Sequence, residues 1–129
     1  MLQTAIQLAA WLAVIMLVLL TVVPPTMRPV SQFPSLFEHF AGFFLAGLLN
    51  HLGYPRRLVV SLIIATAFAG GIELLQIPLQ GRHARLIDFV VDAAAACAGT
   101  VVAFLLLRIG SAQDEPQRAA APVTARKRP

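Results

Sequence analysis

Residues 58–77 read LVVSLIIATAFAGGIELLQI, twenty residues with a single charge, Glu73, held back to the last turn. At 1.5 Å per residue a helix of that length is about 30 Å long, the thickness of a bilayer's hydrocarbon core. The chain around it has the same character. Upstream lie apolar stretches at 2–23, stopped by Pro24-Pro25, and at 36–52; downstream lies one at 87–109. All four have the length of a membrane span, the 36–52 stretch being the shortest. Hydrophobic residues make up 58% of the 129 and charged residues 12%, too few charges to cover the surface of so small a soluble domain. Disorder over most of the chain is excluded by the same figures. The expected fold is all-α: a four-helix transmembrane bundle over residues 1–109, followed by a flexible basic tail at 110–129.

The first stretch has no Lys or Arg before its apolar run and is too long for the core of a signal peptide, so it reads as a retained first span. Orientation follows from the positive charges in the short loops. With the N-terminus inside, Arg56 and Arg57 join Arg108, Arg118, Arg126, Lys127 and Arg128 on the inner side, and only Arg28, Arg82 and Arg85 are left outside. Both termini are therefore expected in the cytoplasm. The formal charge is +4, and five of the ten positive charges lie in or beside the tail, which argues for topology and attraction to anionic lipid, and against a nucleic-acid partner. Cys97, the lone cysteine, excludes an internal disulfide and reads as a packing residue.

In this topology the polar residues collect at one membrane face. Glu38 and His39 open the second helix there, and Glu73 and Gln76 close the third. Arg82, His83 and Arg85 fall in the loop that follows, and Asp88 and Asp92 open the fourth helix. Glu73 and Gln76 are three apart and Asp88 and Asp92 four apart, so each pair shares a helix face. Small residues continue those faces inward: Gly42 and Ala46, Thr66, Ala69 and Gly70, Ala95, Ala96 and Gly99. Such stripes let helices approach closely, so the acidic groups are expected to face the bundle interior. A carboxylate at membrane depth costs about 2.5–3.5 kcal/mol and needs a partner, for which Arg82 and Arg85 are the nearest candidates. Arg85 and Asp92 would also serve as a purely structural ion pair. His83 reads equally as a solvated loop residue. His51, Tyr54 and Trp11 read as packing or interfacial residues, and Arg56 and Arg57 as topology signals.

The order Glu73-Leu-Leu-Gln76, Gly81-Arg82, Asp88 and Gly99, together with Glu38-His39-Phe40, resembles the VanZ-like membrane proteins over about residues 35–105. Ser35 and Leu36 stand where that family often has Asp-Lys, Asp92 where Asn is common, and Ala95 where Gly is common. The resemblance implies a small multi-pass protein of the bacterial cytoplasmic (inner) membrane. The family's namesake is linked to low-level resistance to the glycopeptide teicoplanin.

The expected site is thus Glu73, Gln76, Arg82 and Asp88, with His39, Asp92 and Arg85 beside them. As a binding site it would take an envelope or lipid-linked ligand, or one related to glycopeptides, with membrane lipids and other membrane proteins as partners. The alternative is an intramembrane enzyme on a lipid-linked substrate, with Glu73 or His39 as general base and Arg82 stabilising negative charge. There is no HExxH ligand spacing, nucleophile elbow or glycine-rich phosphate loop, so no metal and no cofactor are expected. A carrier ranks below both, because its charges would sit near the midplane in repeated halves.

Overall fold

The computed structural model describes residues 1–23, 35–77 and 86–120, and every regular element in them is helical. Helix α1 spans Leu2–Val22, α2 Ser35–Gly53, α3 Leu58–Gln76 and α4 Leu86–Ala120. Three of them, α1, α3 and the Leu86–Ala112 part of α4, are long and apolar enough to cross a membrane. Helix α2 is not among the three: it carries Glu38, His39, Asn50 and His51 within nineteen residues.

The apolar stretches end where the helices end to within a residue, except at α4. There the composition changes at Gly110 but the helix continues to Ala120. The change marks the end of the apolar run, not of the helix: the added Ala, Gln, Glu and Arg favour helix, while Gly110 and Pro116 within the same stretch do not. Ser111 helps the passage, its hydroxyl donating to the carbonyls of Leu107 and Arg108 at 2.9 and 3.0 Å. Residues 121–129, and the Pro24-Pro25 stop after α1, lie outside the described residues. Between α2 and α3 the chain turns at Tyr54, whose N–H donates to the Asn50 carbonyl at 2.9 Å. Pro55 then prevents continuation of the helix.

The helices form a ring in the order α1, α2, α4, α3, with the thinnest seam between α3 and α1. The main contact joins α2 to α4, which run parallel. His39 meets Asp92, Gly47 meets Thr100 and His51 meets Phe104, each pair 53 residues apart. At this crossing the two backbones touch. A Cβ at Gly47 would run into the Ala96 carbonyl oxygen, and one at Gly99 into the Phe44 carbonyl oxygen. The rest of the core is correspondingly small: Ala46, Ala65, Ala69, Ala95, Ala96 and Ala103 are buried, with Phe43 and Ile72 as the only large apolar members among the described residues. Leu8, Leu12, Ile63, Leu74, Leu105 and many other large apolar side chains point outward. Small residues inside and large apolar ones outside is the distribution expected of helices packed in lipid, where burying bulk gains little.

Helix α1 is tied to the end of α2 by its glutamines. The Gln3 amide donates to the Gly53 carbonyl at 2.7 Å and the Gln7 amide to the same oxygen at 3.1 Å. This carbonyl belongs to the last turn of α2 and lacks a partner within the helix.

Candidate functional site

The start of α2, the end of α3 and the start of α4 share one end of the ring. Helix α3 closes with Glu73 and Gln76 turned inward: both are buried, while Leu74, Leu75 and Ile77 between and beside them are exposed. The inward face is set by Ala65, Ala69 and Ile72, which precede Glu73 and Gln76 at helical spacing and belong to the core. Across the bundle, Gly70 faces the Phe89 ring, with a Cβ there 3.5 Å from it. That contact sets the end of α3 beside the first turns of α4.

Asp92 is the most deeply buried acid, at 1% exposure, and His39 is its partner among the described residues. The His39 Nδ1 lies 3.4 Å from each Asp92 carboxylate oxygen, but only Oδ2 shares a hydrogen bond with it, and Oδ1 is buried without a hydrogen-bond partner among the described residues. His39 itself remains one-third exposed, so the pair reaches from the core towards the bundle's end. Asp88, in the first turn of α4, is half-buried, and Glu38, in the first turn of α2, is exposed. Both carboxylates sit where the helix dipole favours negative charge.

The structure therefore brings five of the seven expected residues, Glu73, Gln76, Asp88, Asp92 and His39, to one end of the bundle. Three of them, Glu73, Gln76 and Asp92, are buried. Arg82 and Arg85, and His83 with them, lie outside the described residues. Among the described residues no three His, Cys, Asp or Glu side chains converge on a common cation position. The chemistry on offer is hydrogen bonding from an amide and carboxyl groups, together with an imidazole oriented by a buried carboxyl.

The opposite end holds what the sequence reading treated as packing. His51 is buried, its Nδ1 2.8 Å from the Ser61 hydroxyl, and its ring meets Phe104 edge-on at 6.0 Å. The Trp11 indole N–H donates to the Tyr54 hydroxyl at 2.9 Å. Between these groups lies a cavity of about 270 Å³ to which all four helices contribute. Asn50, Ser61 and Thr100 line it. The sequence contained one signal for it, a lone Asn50 beside His51 in an otherwise apolar stretch. No family model, curated protein or solved structure matches this chain, so the reading of both ends rests on its own residues.

Proposed function

We propose that the chain is a VanZ-like, four-span protein of the bacterial cytoplasmic membrane whose Glu73/Gln76/Asp88/Asp92/His39 end binds an envelope or lipid-linked ligand, with Arg82 and Arg85 completing the site from the following loop. The observation that carries this reading is the burial of Glu73, Gln76 and Asp92 together at one end of a bundle whose apolar core is mostly alanine. Two carboxyl groups and an amide in such a place cost insertion energy that packing does not require, and ionisable groups at membrane depth are functional by default. Acidic groups in the first turns of α2 and α4 already occupy the anion-favouring helix ends. A ligand carrying both charge signs, or sugar hydroxyls, fits better than a bare phosphate. A link to glycopeptide resistance is part of the proposal through the family resemblance alone.

Native mass spectrometry of the detergent-purified chain tests it. The wild type should retain a defined envelope lipid that Arg82→Ala and Glu73→Gln, folded by circular dichroism, no longer carry. Equal retention in all three would sink the binding reading.

One observation favours a second reading. Asp92 lies behind His39 as an orienting carboxyl lies behind a general base. If the retained lipid is turned over, His39→Ala should abolish turnover while leaving lipid retention in place.

A further inference from the structure

We propose that the cavity at the Tyr54 end is a second binding site, for a neutral single-chain amphiphile that enters sideways from the bilayer between α1 and α3. It lies at the end opposite to the acidic cluster and does not depend on the role assigned to that cluster.

The cavity is divided by polarity along the bundle axis. Asn50, Tyr54 and Ser61 line it where α2 ends and α3 begins. Towards the middle of the helices its walls are Val14, Ala46, Ala65, Phe68 and Ala96. Thr100 contributes little polarity to the deep part, because its hydroxyl donates back to the Ala96 carbonyl of its own helix at 2.9 Å. An amphiphile lying in a leaflet has the same arrangement, with its head near the interface and its chain towards the midplane.

The polar end holds a hydrogen-bonding group that the fold leaves over. Ser61 is bonded to His51 and Tyr54 to Trp11, but among the described residues the Asn50 carboxamide has no hydrogen-bond partner. Asn50 is half-buried, and its amide is open to a polar head entering the cavity. A hydroxyl or amide head would satisfy it by accepting from the Asn50 N–H and donating to its oxygen. Among the described residues none that line the cavity is charged, and the Arg56 guanidinium at that end is engaged over the Tyr54 ring, 5.5 Å from its centroid, so a neutral head avoids the desolvation cost that an ionic one carries.

Size and access agree. A cavity of 150 Å³ holds one benzene, so about 270 Å³ takes a chain of roughly ten carbons and not a two-chain phospholipid. The way in is the α1–α3 seam, the weakest in the ring. Trp11 and Val14 line it on one side and Ile64 and Phe68 on the other. Trp11 and Ile64 each also present surface to the outside, at 57% and 36% exposure. The Trp11–Tyr54 hydrogen bond bridges α1 to the residue after α2 among the residues that line the cavity.

Trp11 is the only tryptophan, so its fluorescence reports on the site directly. The full chain in phosphatidylcholine nanodiscs is titrated with 10-bromodecan-1-ol, with 1-bromodecane as the headless control. The expected result is a saturable quenching component for the alcohol, at least tenfold weaker for the alkane. Ala65→Leu, which fills the cavity, should abolish it. Asn50→Leu should lower the alcohol's affinity to that of the alkane, and this variant alone decides the matter if Ala65→Leu fails to fold. Quenching that only rises linearly with mole fraction, alike in wild type and Ala65→Leu, is contact with bulk lipid and overturns the proposal. Saturation that Asn50→Leu leaves unchanged overturns it too, as does equally tight binding of 10-bromodecanoate.

Discussion

At the scale of the residue, the His39–Asp92 pair is the most exacting feature of the acidic end. A carboxyl group at 1% exposure is tolerated only with compensation, and removing one member of a buried pair leaves the other uncompensated. His39→Ala should therefore destabilise the bundle by about 2 kcal/mol, below the usual range for buried pairs because the contact is long and His39 is one-third exposed. Asp92→Asn added to His39→Ala should restore most of that loss, since a neutral amide has a smaller desolvation cost. Detergent-denaturation curves of the two single variants and the double variant measure the coupling directly. Additive losses would mean that His39 does not compensate Asp92. The sequence showed that both residues belong to the same end of the molecule, but not that they meet. They are 53 positions apart on non-consecutive helices, and helical periodicity places a residue on a face without naming the helix opposite. The charge of Arg85 made it the more obvious partner on sequence grounds.

At the scale of the element, stability is concentrated in the parallel α2–α4 crossing. Gly47 and Gly99 abut backbone atoms of the opposite helix, which cannot rotate away as a side-chain tip can. Gly47→Ala and Gly99→Ala should each cost about 3 kcal/mol or more, at or beyond the upper end of ordinary overpacking. Gly71→Ala is the control: a Cβ there meets nothing within 4 Å, so the helix should gain up to about 1 kcal/mol in propensity. Unfolding in mixed detergent micelles ranks the three, and similar losses at Gly71 and Gly99 would contradict the close crossing. Much of this was legible beforehand. The stripe Ala95/Ala96/Gly99 was identifiable as a packing face from its spacing alone, whereas Gly42 turned out to face Leu17 of α1; the helix bounds followed from the apolar runs except at the end of α4. The pairing was not legible. Consecutive helices are the usual neighbours, yet α2 lies against α4 and only grazes α3, because the two glycine-bearing faces permit an approach that the bulkier α3 face does not. Gly47 itself escaped notice because it is one residue off the Gly42/Ala46 stripe.

At the scale of the whole molecule, the open quantity is the number of crossings. Helix α2 has less lipid-facing hydropathy than the other three, but its polar residues have protein-side or end positions. His51 is buried against Ser61, and Glu38 and His39 occupy the first turn or so. Its 53-residue offset to α4 is the same at His39, Gly47 and His51. The two helices therefore share their depth throughout, and nineteen residues at 1.5 Å each reach about 28 Å. If α4 crosses the bilayer, its parallel neighbour crosses with it, and the termini are left on one side with Arg56 and Arg57. The alternative, three crossings with α2 outside, puts Glu38 and Arg57 on the same face. In a Cys97→Ala background, single cysteines at Glu38, Arg57 and Ser111, all exposed positions, distinguish the two. A membrane-impermeant maleimide applied to one side of the intact membrane should label Glu38→Cys from that side alone. It should label Arg57→Cys and Ser111→Cys there only after the membrane is opened. Labelling of Glu38→Cys and Arg57→Cys from one side would reduce the crossings to three, and the acidic end would then lie beside a helix resting on the membrane surface instead of inside a four-span bundle.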